Sequence, residues 1–445
     1  MRIAVADAVR ALGAEIVDER AEATAFDGVS YDSRTLARGN LFVAVVAERD
    51  GHEFVTDAVT AGCAAVLVSR GVRSCGVPQI VVDDTVAALA VLGRFARDVL
   101  DDSASGRVVG ITGSVGKTST KDFAAAALSS RWKVAASEKS LNNDQGLPVT
   151  LLNAPADAGA VVLEMGMRGF GEIARLAAIA RPDIGIVTRV GESHSERVGG
   201  VDGVRRAKSE LVTSLPDTGW ALLNADDPRV ASMASLTDAR VLTFGESSKA
   251  DMRVFDARVE GSSLLFAYAS QWGDGQCRLP VPGVHMATNA AAALLAAAVC
   301  GCDVAAAADS MRNARMSPMR MAVHAVAGRT LLDDSYNSSP TSAIAALNTL
   351  AAMPAARRIA VLGTMAEIDE PERRHRDVAA HAVSLGIEVV AFGTDLYGCE
   401  RIDEIGDAAE RFFASPDGSA MLVKASRSVG LDRVVSAIVS TVGGT

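Results

Sequence analysis

VVGITGSVGKTST, residues 108–120, decides the fold. An apolar, β-branched run enters a turn bounded by Gly113 and Gly116, and a helix is read from Ser119 onward. A strand passing through a glycine-rich turn into a helix aims backbone N–H groups at one point, where phosphate oxygens bind. Lys117 adds a point charge and Thr118 a hydroxyl able to reach magnesium. Ile111 stands where the general motif has its first glycine, but strand, GxxGKT and helix in series predict a nucleotide site. Its residues are Gly113, Ser114, Val115, Gly116, Lys117, Thr118 and Ser119.

Outward from this loop the chain alternates strands and helices. Downstream strands are predicted at 160–164, 184–190, 220–224 and 241–244, with helices between them, which argues a mostly parallel sheet covered on both faces. An Ala-rich helix at 289–308 and a turn at 316–318 close this block. Upstream, apolar runs at 41–46, 64–68 and 79–82 flank a helical stretch at 52–61, a smaller α/β unit ended by the polar DDSASG of 101–106. Beyond the turn, strands are expected at 330–333, 358–362, 388–392 and 420–423, a Rossmann-like pattern without GxGxxG. The expected fold is α/β in three domains, 1–104, 105–314 and 315–445, with a phosphate-loop sheet in the middle. Length agrees, since 445 residues exceed one ordinary core.

Hydrophobic residues form 49% of the chain and charged ones 22%, the balance of a globular protein. The net charge of −10 argues against a nucleic-acid or anionic-lipid surface. The opening MRIAVADAVRAL lacks a signal-peptide pattern, and the apolar run at 290–300 is far shorter than a membrane span needs. A cytoplasmic protein without membrane insertion, and a monomer, is the expectation. Six cysteines without CxxC spacing indicate neither a zinc site nor a disulfide framework.

Three further side chains attract notice. Glu164 ends a predicted strand in VVLEMGMRG, and His194 follows another in VTRVGESHSE. Beside a phosphate loop on one sheet edge, they form an oxygen-and-imidazole set suited to magnesium. Lys208, in GVRRAKSEL, reads by itself as a solvated lysine near Glu210.

The segments GITGSVGKTSTKD, LNNDQGLP, VVLEMGMRGFGEI, VGESHSE, RRAKSELV, LPVPGVH, SPMRM, LLDDSYNSSPTSAIAAL, VLGTMAEI and VKASRS, with the N-terminal YDSRTLARGNLFVAV, resemble the Mur ligases over nearly the whole chain. EMGMRG and DDSYN fit the member that attaches D-alanyl-D-alanine to UDP-N-acetylmuramoyl-tripeptide in peptidoglycan synthesis. The DNPR signature of the ligase adding the third amino acid is absent. The third reading is a paralogue that binds nucleotide without ligating. The resemblance implies an ADP-forming amide ligase using ATP and Mg2+, with an acyl-phosphate intermediate. It places metal contacts on Thr118, Glu164, His194 and a carbamylated Lys208, which with Lys117 form the catalytic set. It assigns nucleotide contacts to Asn289, Arg320 and Asp334, and UDP contacts to Asp32, Ser33 and Arg34. Asn142 and Asn143 fall beside the phosphates; Tyr336, Asn337, Lys424, Ser426 and Arg427 face the incoming dipeptide. Met286, Thr364 and Ala425 depart from the family pattern, as does Arg189.

Overall fold

The computed structural model describes residues 1–16, 24–73, 75–138, 141–192 and 195–443. His194 therefore lies outside the described residues.

At the centre is a nine-stranded sheet. Its strands run, in spatial order, 275–279, 263–270, 252–260, 240–245, 220–224, 184–187, 108–112, 160–164 and 134–136. From 134–136 to 252–260 every neighbouring pair is parallel. The phosphate-loop strand, Val108–Thr112, is buried at every position. That follows from its place between two parallel neighbours with helices on both faces. Glu164 pairs with Ile111 and Val187 with Thr112, so three strands end together at one carboxyl edge.

The far end of the sheet differs from the expectation. Met252–Glu260, Ser263–Ser270 and Gly275–Leu279 form an antiparallel meander absent from the strand prediction. The Ala-rich run is two helices, Met286–Val299 and Val304–Ser310. Gly301, at φ 76°, breaks it, and the Asp303 carboxylate caps the second helix by accepting from Ala306 N–H.

On one face, Met286–Val299 packs against the phosphate-loop helix Lys117–Leu128. On the other, Thr85–Ala104 packs against Gly146–Asn153 and Glu172–Ala180. Its buried Ala88, Leu89, Leu92, Ala96 and Leu100 recur at helical spacing. Asp101 to Ala104, read from sequence as linker, are the last turn of this helix. Their polarity marks a solvated helix end.

A five-stranded sheet lies N-terminal, in the order 15–16, 79–81, 65–68, 41–43 and 29–30, parallel except at its first pair. The C-terminal six-stranded sheet runs 322–326, 329–333, 420–424, 358–363, 388–392 and 401–402, parallel after its first hairpin. Predicted strands 330–333, 358–362, 388–392 and 420–423 all fall in it.

Candidate active site

The phosphate loop crosses the carboxyl edge of the central sheet in an unusual backbone state. Gly113 sits at φ 155° and Gly116 at φ 86°. A Cβ on Gly113 would lie 1.9 Å from Thr188 Oγ1, and one on Gly116 2.6 Å from Asn289 Oδ1. Only glycine fits, which accounts for the motif spacing. The loop is pinned to the next strand end: Ser114 N–H donates to the Arg189 carbonyl at 2.7 Å, and the Thr188 hydroxyl to the Val115 carbonyl at 2.6 Å.

Inside this frame Thr118 donates its hydroxyl to Glu164 Oε2 at 2.7 Å, and Asn142 Nδ2 donates to Oε1 at 2.8 Å. Glu164 is 2% exposed. A buried carboxylate without such donors would cost several kcal/mol, roughly, so both oxygens need them until a cation arrives. Lys117 Nζ donates to the Gly113 carbonyl at 2.8 Å. Burial draws its pKa down; the Glu164 charge opposes this and the Arg320 charge adds to it. Asn143 differs from its neighbour: its Oδ1 accepts from Gly146 N–H at 2.8 Å, at the start of the helix Gly146–Asn153.

Lys208 stands mid-helix in Val201–Thr213 and is 2% exposed. Burial removes the reading of a solvated lysine. It makes no hydrogen bond or ion pair with any described residue. Burial first, then the Lys117 charge, holds its pKa well below the usual lysine value, favouring the neutral amine.

Among the described residues no group of three His, Cys, Asp or Glu could hold a metal. Magnesium needs less protein than that, because it takes one or two carboxylates and fills its remaining positions with phosphate oxygens and water. The hard oxygens of Glu164 and Thr118 at a phosphate loop fit it.

In the C-terminal sheet, Asp333 ends a strand and the next residue, Asp334, accepts from Lys424 Nζ at 2.5 Å and from Met321 N–H at 3.2 Å. Lys424 also donates to the Asn337 carbonyl at 2.7 Å. The Arg320 guanidinium lies 4.3 Å from the centre of the Tyr336 ring. Ser426 Oγ accepts from Ala366 N–H at 2.8 Å, while Arg427 pairs with Asp432 at 3.2 Å. Arg320, Asp334, Tyr336, Asn337, Lys424 and Ser426 are thus linked to one another or to adjoining segments, and Arg320 acts electrostatically on Lys117. In the N-terminal part, Arg34 forms a bidentate pair with Asp32 at 2.8 and 2.7 Å.

One group went unnoticed in the sequence. His285 begins the helix Met286–Val299 and its Nδ1 is buried without a hydrogen bond. Burial pushes its pKa down to about 4; Asp334 opposes this, while Lys424 and Arg189 add to it. The motif LPVPGVH contains it, but a single His before an Ala-rich run carries no chemical signal without the neighbours that folding supplies.

Comparison with known proteins places this geometry. The Mur ligase middle domain matches residues 111–297, and the Mur ligase glutamate ligase domain matches 319–438. The UDP-N-acetylmuramoyl-tripeptide–D-alanyl-D-alanine ligase of Mycobacterium tuberculosis is 36% identical over 93% of this chain and 92% of its own. A crystal structure of MurF from Acinetobacter baumannii is similar with a TM-score of 0.88, at 26% identity over 99% of each chain. The MurF ligase of Thermotoga maritima in complex with ADP is similar at 0.80, with 26% identity over 94% of this chain and 98% of that one. No helix among the described residues is long and apolar enough to cross a membrane.

Proposed function

The chain belongs to the Mur ligase family, and from that premise we propose that it uses ATP to join D-alanyl-D-alanine to UDP-N-acetylmuramoyl-tripeptide, forming the pentapeptide precursor of peptidoglycan. The observation that carries the substrate pair is identity of 36% across 93% of the chain to a ligase named for it. Use of ATP is supported by the phosphate loop and by the ADP complex of a similar ligase.

In this reading the tripeptide's terminal carboxylate attacks the γ-phosphorus of ATP, an O–P bond forms, and ADP leaves. The amine of D-alanyl-D-alanine then attacks the acyl carbon; phosphate departs, and the amine loses a proton. Magnesium, when bound, offsets the repulsion between carboxylate and triphosphate. Lys117 stabilises charge on the transferring phosphoryl group. Thr118 and Glu164 would hold the magnesium ion through their oxygens, with His194 as the further ligand that the resemblance implies. The neutral amine of Lys208 takes up carbon dioxide: an N–C bond forms and a proton leaves, so an uncharged buried group becomes an anionic oxygen donor.

Asn289, Arg320 and Asp334 hold the nucleotide, with Gly113 to Ser119 around its phosphates. Asn142 and Asn143 lie toward the phosphates, the first by holding Glu164. Asp32, Ser33 and Arg34 take the UDP group. Tyr336, Asn337, Lys424, Ser426 and Arg427 face the dipeptide. The work divides over segments 1–104, 105–314 and 315–445, which bring nucleotide sugar, ATP and dipeptide together.

Mass spectrometry of an incubation with all three substrates tests this. A product heavier than the tripeptide precursor by one D-alanyl-D-alanine residue pair is expected. Extension only of a dipeptide precursor by a single amino acid would identify a third-residue ligase, and bound nucleotide without any product a non-catalytic relative.

A further inference from the structure

The phosphate-loop helix carries a buried ion pair that the reaction does not use. Lys121 and Asp122, 4% and 8% exposed, are paired at 2.9 Å. Asp122 also receives two donors from the segment that leaves the central sheet for the C-terminal one: Ser317 N–H at 2.7 Å on Oδ2 and Ser317 Oγ at 3.1 Å on Oδ1. Lys121 Nζ donates to the Ser137 carbonyl at 2.8 Å and lies 3.4 Å from Ser317 Oγ. Ser137 Oγ in turn accepts from the backbone N–H of Glu164 at 3.3 Å. A polar chain therefore runs from Ser317, through Asp122, Lys121 and Ser137, to Glu164.

Burying such a pair is poor value as a stabiliser. Desolvation of two charges about cancels their attraction, and well-packed apolar residues of similar volume commonly match or exceed it. A pair like this makes sense where it fixes one geometry. Three residues past Ser317, the segment carries Arg320, whose guanidinium lies over Tyr336 and whose charge reaches Lys117. Between and beyond them Met319 and Met321 adopt φ 61° and 55°, left-handed states that a loose linker would leave. Tethering Ser317 to the phosphate-loop helix restricts where Arg320 can go.

We propose that the Lys121–Asp122 pair is a positioning device that anchors Ser317 to the phosphate-loop helix and so holds Arg320 over the nucleotide site. The device rests on the reading that Arg320 contacts the nucleotide. Neither Lys121 nor Asp122 touches the substrates; they act through the linker.

The test is a double-mutant cycle on the full chain. Lys121→Met with Asp122→Leu removes both charges together, avoiding the misfolding that an orphaned buried charge invites, and thermal melting checks that the fold persists. Ser317→Ala, which keeps the backbone donor, is the milder companion. Calorimetric ATP binding is expected to weaken about tenfold in the Lys121→Met/Asp122→Leu variant and a few-fold in Ser317→Ala. In an Arg320→Ala background the further loss from the pair should disappear, because the interaction it orients is already gone. Wild-type affinity in the folded pair variant, or a loss that adds fully to that of Arg320→Ala, overturns the proposal. Arg320→Ala that binds ATP normally overturns both it and the nucleotide role of Arg320, and that single variant distinguishes the two failures.

Discussion

At the scale of single residues the chemistry depends on charges placed where water cannot screen them. In the proposed mechanism Lys117 is the cation over the phosphoryl group, so in Lys117→Ala turnover is expected to fall by about 10²–10³-fold or more while the melting temperature holds. Steady-state rates with a melting curve check this. Lys208 gives a sharper contrast. Burial, with the Lys117 charge, holds this amine's pKa well below the ordinary lysine value and so favours the neutral form that carbon dioxide needs; in the proposed reading, falling pH protonates the amine and removes the carbamate. Activity should therefore have an acidic limb that moves to lower pH when bicarbonate is raised, and Lys208→Ala should lose most activity, with part restored by formate or acetate. An acidic limb indifferent to bicarbonate would speak against the carbamate. His285 gives a stability signature instead. Its folded pKa of about 4 lies below the ordinary 6.5, so the unfolded chain binds more protons between these values, and stability is lost as pH drops from 6.5 toward 4. His285→Asn should flatten that part of the melting-temperature profile. None of these shifts was visible in the sequence. Lys208 reads there as solvated because burial on one helix face is set by its partners, and the His285 environment comes from Asp334, Lys424 and Arg189, distant in the chain.

At the scale of elements, the phosphate loop was legible because its physics is local. Strand, glycine turn and helix start are contiguous, and each glycine answers a steric demand from Thr188 or Asn289. Gly116→Ala should expose that demand: positive φ costs a non-glycine residue about 1–2 kcal/mol, and the new methyl group presses on Asn289. ATP affinity is expected to fall roughly tenfold or more with a smaller effect on melting, which calorimetry and thermal unfolding measure separately. The parallel strands were legible for a similar reason, being short apolar runs between helices. The meander 252–279 was not: Met252–Glu260 alternates buried and half-buried positions only in its first half, and a bulge between Phe255 and Arg258 shifts its register. The split of the Ala-rich helix turned on Gly301 and Asp303, signals small enough to be lost in a long apolar run.

At the scale of the whole molecule, the C-terminal part meets the central sheet beside the phosphate loop. Ser195 Oγ donates to Asp369 Oδ2 at 2.7 Å, Arg374 pairs with Glu192, and Arg197 lies 3.5 Å from Glu367. Such partly exposed contacts are each worth under about 1 kcal/mol. Together they suit a surface that closes around substrates and releases products. Replacing Asp369 and Arg374 by alanine should enlarge the radius of gyration seen by small-angle scattering and raise KM for ATP a few-fold; an unchanged radius and KM would remove these contacts from the closure. Ligation through phosphoryl transfer consumes ATP as the amide bond forms, so phosphate release reports it without an intermediary. With ATP, magnesium, UDP-N-acetylmuramoyl-tripeptide and D-alanyl-D-alanine all present, sustained release of one phosphate per pentapeptide is expected, falling to background when any one is omitted. Phosphate release that ignores the tripeptide and dipeptide, or none with all four present, would contradict it.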